Sequence, residues 1–244
     1  MIDKTITKGY NIHNDNVNTL CKGRQKLQII LDIGYSNEVF YKNLIIDIPS
    51  QGIISIIGTN GCGKSTLYKT LMGIIPPIQG QVPLEFKKRC AIVSDYVHIP
   101  EENRVKDVVE LKRTKYNSNI KKYSKIYSYI TSLSDIKVKY LSSGQKRILE
   151  IYMVLLSGKN IVILDEASNA LDFENKDLFF HYIHELSNQG ILFFHTSHDF
   201  SEVLSLTKHI YFLDKHNGVL TSLGNEQINI DQLTSLVRKK VGSV

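Results

Sequence analysis

The sequence predicts an α/β protein with a mostly parallel sheet covered by helices on both sides. Two apolar runs predict it first. "IISIIG" (Ile53 to Gly58) and "IVILD" (Ile161 to Asp165) are short and unbroken by polar alternation, as strands buried on both faces are. The third observation is the alternation of such runs with helix-like stretches along the rest of the chain.

In chain order, residues 1–26 are polar and asparagine-rich and predict a loosely held arm. Leu27 to Ile33 and Leu44 to Ile48 are β-rich, and "LIIDI" puts Leu44, Ile46 and Ile48 on one face. After "IISIIG" a helix is expected from Lys64 to about Gly73, stopped by that glycine and by Pro76-Pro77. "CAIVS" (Cys90 to Ser94) reads as a further strand, and Pro100 to Tyr140 as mostly helical by composition. A helix then opens at "YLSSGQKRILEI" (Tyr140 to Ile151), followed by "IVILD", a helix near Lys176 to Ser187 and a strand at "ILFFH" (Ile191 to His195). Asn217-Gly218, between "IYFL" and "VLTSL", signals a hairpin.

With 244 residues, 42% of them hydrophobic and 22% charged, the chain can bury one large core. No apolar run approaches the ~18–20 residues of a membrane span, and no signal-peptide core stands near the start, so a cytoplasmic location is expected. Three widely spaced cysteines (Cys21, Cys62, Cys90) argue for reduced thiols rather than a disulfide framework or zinc site. The net charge of +6 is concentrated in Pro100 to Tyr140, where ten Lys and Arg face five acids, with Tyr116, Tyr123, Tyr127 and Tyr129 interleaved.

"GTNGCGKST" carries the clearest chemistry. Gly58, Thr59, Asn60, Gly61, Cys62, Gly63, Lys64, Ser65 and Thr66 fit G-x-x-x-x-G-K-[ST] between a strand and a helix. The glycines let backbone N–H groups wrap phosphates, Lys64 is expected to reach the β- and γ-phosphates, and Ser65 offers its hydroxyl to Mg²⁺. A guanine-reading Asn-Lys-x-Asp element is not found, since "NKDL" at Asn175 has the wrong spacing, and ATP is favoured. "IVILDE" delivers Asp165 at the carboxyl end of a buried strand, where it can hold Mg²⁺. Glu166 then stands where it could deprotonate a water, or serve only as a surface acid. In "FFHTSHD", His195 reads as a packed strand residue, while His198 at the sheet edge is either a ligand contact or structural. "LSSGQ" (Leu141 to Gln145) sets small residues before a helix, a second place suited to an anion.

Together these residues resemble the ATP-binding cassette (ABC) ATPases over roughly Leu27 to Leu223. "GTNGCGKST", "LSSGQ", "IVILDE", "SNALD" (Ser168 to Asp172) and His198 stand in that family's order. The resemblance implies a P-loop NTPase core, an N-terminal antiparallel β-subdomain and an inserted α-helical subdomain at about 96–157. These lie within one ATPase domain over 27–225, followed by a short C-terminal tail or helix over 226–244. It implies two cassettes stacked head to tail, each ATP lying between one copy's phosphate loop and the other's signature. Ser142, Ser143, Gly144 and Gln145 then face the partner's nucleotide, with Ser142 donating its hydroxyl and Gly144 its N–H. By the same resemblance Glu166 is the general base, His198 contacts the γ-phosphate, and Ala170 to Asp172 follow the dimer seam. Tyr35 falls where the family stacks an aromatic on adenine, Phe40 and Tyr41 being weaker candidates. Two departures stand out. Ser143 occupies the first of the family's two signature glycines, and Asp95 stands where a glutamine is expected, unless a one-residue shift puts Ser94 or Tyr96 there. Asp95 could also bind Mg²⁺.

The reading is an ATP-hydrolysing transporter subunit that drives a separate membrane permease and pairs with a second cassette, peripheral on the inner face of the membrane. Its short C-terminal end suggests an exporter. A soluble cassette acting on nucleic acid, ribosomes or cofactor assembly is the alternative. The single cassette disfavours it, and scattered lysines suit a solvated helix face. A scaffold that clamps ATP without turnover is the third class. Lys64, Asp165, Glu166 and His198 weigh against it.

Overall fold

The computed structural model describes residues 27–35, 38–93, 99–119, 123–169, 171–207, 209–223 and 228–241. The expected arm over 1–26, Asp95 with its neighbours Ser94 and Tyr96, and Ala170 lie outside the described residues. The chain begins with an antiparallel pair, β1 (Leu27–Tyr35) and β2 (Glu38–Ile48), in register from Leu27 against Ile48. Both strands run longer than the apolar pattern predicts. Lys42 and Asn43 interrupt β2, Asn43 taking φ 50° where the register shifts, and Asp32 accepts its N–H at 2.7 Å. The two-residue strand β4 (Gln79–Gly80) completes this sheet on the other side of β1.

The second sheet has six strands in the order β5-β6-β7-β3-β8-β9. Its members are β3 (Gly52–Ile57), β5 (Cys90–Val93), β6 (Ile161–Asp165), β7 (Leu192–Thr196), β8 (His209–Asp214) and β9 (Val219–Ser222). All pairs are parallel except β8 with β9, the hairpin that Asn217-Gly218 signals. Asp214 holds that turn by accepting the N–H groups of His216 and Asn217. The unbroken apolar runs serve both faces. Ile161, Ile163 and Phe194 join the first sheet and helix α1 (Lys64–Leu71), while Val162, Leu164 and Phe193 join helices α5 (Ser143–Leu156) and α6 (Phe173–Asn188).

α1 stops two residues short of Gly73, which takes φ 78°. The short α2 (Leu84–Arg89) leads into β5. Between β5 and β6 the chain forms α3 (Val105–Tyr116), α4 (Ser124–Ser132), a 3-10 turn (Val138–Tyr140) and α5. Val105, Val108, Ile126 and Ile130 pack that segment onto the same core as α5. Many of its basic side chains meet acids of the same region. Lys137 and Lys139 reach Glu102, Lys106 reaches Asp135, Arg113 reaches Glu110 and Lys146 reaches Glu101. These exposed pairs contribute only about 0–1 kcal/mol each, as on a solvated helix face. Helix α6 starts three residues earlier than the pattern predicts, because Asp172 caps it by accepting the Asn175 N–H at 2.9 Å. The last helices, α7 (Phe200–Leu206) and α8 (Ile230–Val241), pack Val203 and Leu233 against Ile57, Ile210 and Phe212. Among the described residues no helix is long and apolar enough to cross a membrane.

Candidate functional site: a phosphate loop at the carboxyl edge of the sheet

β3 ends at Ile57, the loop Gly58 to Gly63 follows, and α1 opens at Lys64. Gly63 sits at φ 102°, a conformation closed to side chains, and it lets the loop turn directly into the helix. Thr59, Asn60 and Gly61 are exposed at the rim, whereas Cys62 is buried. The Lys64 ammonium donates to the carbonyls of Gly58 (3.1 Å) and Thr59 (3.4 Å), so the loop's one cation folds over the loop itself. Burial pushes the Cys62 thiol upward, against the lowering influence of Lys64, and raises Cys90 to about 12, so both thiols stay protonated.

Tyr41 is a correction to the adenine-stacking candidates. It is buried under the loop, its hydroxyl donates to the Cys62 carbonyl, and its ring lies against Gly63. It supports the cradle and cannot face a base. Burial is also what pushes its phenol well above the ordinary value. Tyr35 is half exposed, meets Phe40 edge-on at 5.8 Å, and its hydroxyl pairs with Thr66 Oγ1 at 3.1 Å. The exposed ring thus stands beside the first turn of α1.

In the first turn of α1, Ser65 donates to Oδ2 of Asp165, at the end of β6, at 3.2 Å. This hydroxyl–carboxylate pair of hard oxygens fits Mg²⁺, which takes few protein ligands and keeps water and phosphate oxygens. Among the described residues no group of three His, Cys, Asp or Glu forms a metal cage of its own. Asp165 Oδ1 also accepts from Thr196 at 3.0 Å, and the Thr196 hydroxyl in turn accepts the Glu166 N–H at 3.0 Å. Glu166 has φ 52°, a strained value for a residue with a side chain. Its carboxylate is held from both sides, by Asn169 Nδ2 at 3.0 Å and His198 Nε2 at 2.7 Å. An acid so aimed, near a hydroxyl–carboxylate pair that fits Mg²⁺, has the geometry to orient and deprotonate a water.

The strand and loop carrying these groups are tied together by Glu202, which sequence reasoning missed. Its carboxylate accepts from Ser168 (2.8 Å) and Ser197 (2.6 Å) and pairs with Lys176. Burial pushes the Glu202 carboxyl up, yet hydrogen bonds from Lys176, Ser197 and Ser168 outweigh it and hold the group below the usual carboxylate range. His195 is fully buried, with Nδ1 on Ser55 at 3.2 Å, and burial lowers it to about 4, so it is a neutral core residue. Thr196 also escaped sequence reasoning, although it follows the strand's last apolar residues and lies directly opposite Asp165 in the sheet register.

The second anion-suited segment caps α5. Ser142 Oγ accepts the Gln145 N–H at 3.2 Å, and Gln145 Oε1 accepts the Ser142 N–H at 2.9 Å. Ser143 is exposed and tolerates its side chain; Gly144 is buried against Asn175. Arg147, one turn on, donates to the Ala167 carbonyl (3.1 Å) and pairs with buried Glu150 (2.9 Å), tying α5 to the residue after Glu166.

A strand–glycine loop–helix unit with Lys64, Ser65 and Asp165 converging at the sheet's carboxyl edge defines a P-loop ATPase fold. The sequence matches the ABC transporter family over residues 41–169. It is 30% identical over 195 residues to the molybdate import ATP-binding protein MolC of Haemophilus influenzae, covering 75% of this chain and 76% of that protein. It is 31% identical over 179 residues to the zinc import ATP-binding protein ZnuC of Acinetobacter baylyi, covering 72% and 68%. The fold superposes on a transporter described as of metal-chelate type in an inward-facing conformation, with a TM-score of 0.69, 26% identity and 86% and 88% of the two chains covered. The chain belongs to the ABC transporter family, with ATP and Mg²⁺ as its cofactors and ATP hydrolysis coupled to transport as its activity.

Proposed function

We propose that this chain is the ATP-hydrolysing subunit of an importer for a metal, a metal oxyanion or a metal chelate, working on a separate membrane permease. Two copies close head to tail over two ATP molecules. The observation that carries the two-copy reading is that Ser142, the N-cap of α5, and the exposed Ser143 form a second anion-suited surface in addition to the complete loop at Lys64. In this reading Lys64 and the loop N–H groups hold the phosphates, and Ser65 and Asp165 hold Mg²⁺, which supplies charge neutralisation on the phosphate oxygens. Tyr35 lies beside the base, Glu166 takes the proton of the attacking water, and His198 positions that carboxylate. Signature residues Ser142, Ser143, Gly144 and Gln145 meet the nucleotide of the other copy. The helical segment at about 96–157 couples this closure to the permease.

Import is supported by the names of two of the relatives, the molybdate and zinc import ATP-binding proteins. The exporter expectation finds no such support. Nucleic acid is not favoured, since several cations of this segment, Lys106, Arg113, Lys137 and Lys139 among them, are paired with acids of the same segment. Deleting the gene in its host and measuring uptake of zinc, molybdate and a ferric siderophore tests the direction. Uptake of one of them is expected to fall and to return with the intact gene but not with the Lys64→Ala form. Unchanged uptake of all three with slowed efflux of any would overturn the importer reading.

A further inference from the structure

We infer that Asn175 is a positioning residue for the signature loop, fixing both the hydroxyl direction of Ser142 and the seat of Gly144. This rests on the two-copy reading above.

The hydrogen-bond roles follow in order from one fixed point. A carboxylate can only accept, and both Asp172 oxygens lie 2.8 Å from Asn175 Nδ2. That fixes the amide, so its Oδ1 must point the other way. There it accepts the Ser142 hydroxyl at 2.8 Å. Ser142 Oγ already accepts the Gln145 N–H, so its one proton is committed to Asn175. None is left for the partner's phosphate, which corrects the donor role the resemblance implies, and Ser142 serves the signature by holding its shape. The polarity therefore runs without ambiguity from Asp172, at the end of "SNALD", through Asn175 to the cap of α5.

The same side chain sets the loop's height. A Cβ at Gly144 would stand 2.4 Å from Asn175 Oδ1 and 2.6 Å from its Cβ, distances no packing accepts. This accounts for the asymmetry of "LSSGQ" here: Ser143 is exposed and free to carry a side chain, while Gly144 must stay bare because Asn175 lies on it. Sequence reading used "NKDL" at Asn175 only to reject a guanine-binding motif. The structure gives that asparagine a place between the two segments that resemble the signature and the dimer seam.

The test uses the Glu166→Gln protein, in which hydrolysis is slow, and reads the ATP concentration at half-maximal dimerisation by light scattering. Ser142→Ala and Asn175→Ala are each expected to raise it about tenfold, the upper end for one lost hydrogen bond between neutral groups, because either change releases the loop that carries Ser143 and Gly144. The double variant is expected to be no worse than either alone, since both remove one shared arrangement. With Glu166 restored, Asn175→Ala is expected to raise KM for ATP with kcat within about twofold. A second pair guards against misfolding. Asn175→Asp keeps the bulk over Gly144 but sets two carboxylates together, and Asp172→Asn/Asn175→Asp restores one donor facing one acceptor and is expected to recover the parent's ATP requirement. Independent, multiplying losses for Ser142 and Asn175, or no rescue by the swapped pair, would overturn the inference. If the Glu166→Gln parent itself stays monomeric, it is the two-copy reading that has failed.

Discussion

Replacing Glu166 with glutamine is expected to slow ATP hydrolysis by about 10²–10⁴-fold, the range for losing a positioned general base, while leaving ATP affinity within a few-fold. Glutamine keeps the side chain's length, and its carbonyl oxygen can still accept from Asn169, so the loop geometry survives. What disappears is the ability to take a proton. Because binding proceeds and turnover does not, the closed two-copy state should accumulate with ATP and Mg²⁺, seen as a doubling of mass in size-exclusion chromatography coupled to light scattering. Retention of normal hydrolysis would show that Glu166 is merely a strained acid at a strand end. The expected loss follows from its φ of 52° and its two-sided hold by Asn169 and His198, a conformation a surface acid has no cause to adopt.

Arg147→Ala is expected to have the largest effect on stability, about 3–5 kcal/mol, because it removes the charge facing the buried Glu150 carboxylate. It also deletes the donor to the Ala167 carbonyl, the link between the signature helix and the residue after Glu166. The double change Arg147→Met/Glu150→Leu should lose much less, since it leaves no buried charge and fills a similar volume. Urea unfolding midpoints of the three proteins check this. An Arg147→Ala midpoint equal to the parent's would mean the pair is not acting as a buried one.

The parallel sheet was legible because its strands are buried on both faces. "IISII" and "IVILD" have no polar side to confuse with a helix, and the structure splits Ile163 and Leu164 onto opposite cores. The phosphate loop was legible because its residues are contiguous. The cap of α5 was equally local, Ser142 and Gln145 being three residues apart. Where the groups come from distant segments, the pattern fell silent. Glu202 joins Ser168, Lys176 and Ser197, and Asn175 joins Ser142 and Asp172; neither link leaves a mark in local composition. Tyr41 shows the same limit from the other side. Its aromatic character suggested a base-stacking role, yet the register shift at Lys42 and Asn43 changes the phase of β2 and turns Tyr41 inward beneath Cys62 and Gly63, while Tyr35, at the end of β1, is left exposed.

If each ATP is served by two polypeptides, mixing two crippled proteins restores what neither has alone. Lys64→Ala disables the phosphate loop, and Ser142→Asp keeps a helix cap while setting a negative charge against the phosphates. Each alone is expected to be inactive. Mixed one to one, half the dimers carry one intact site formed by the Ser142→Asp protein's loop and the Lys64→Ala protein's signature. Activity should then return to about one quarter of the parent's, as random pairing in a two-fold dimer requires. A mixture no more active than its separate components would contradict the shared site.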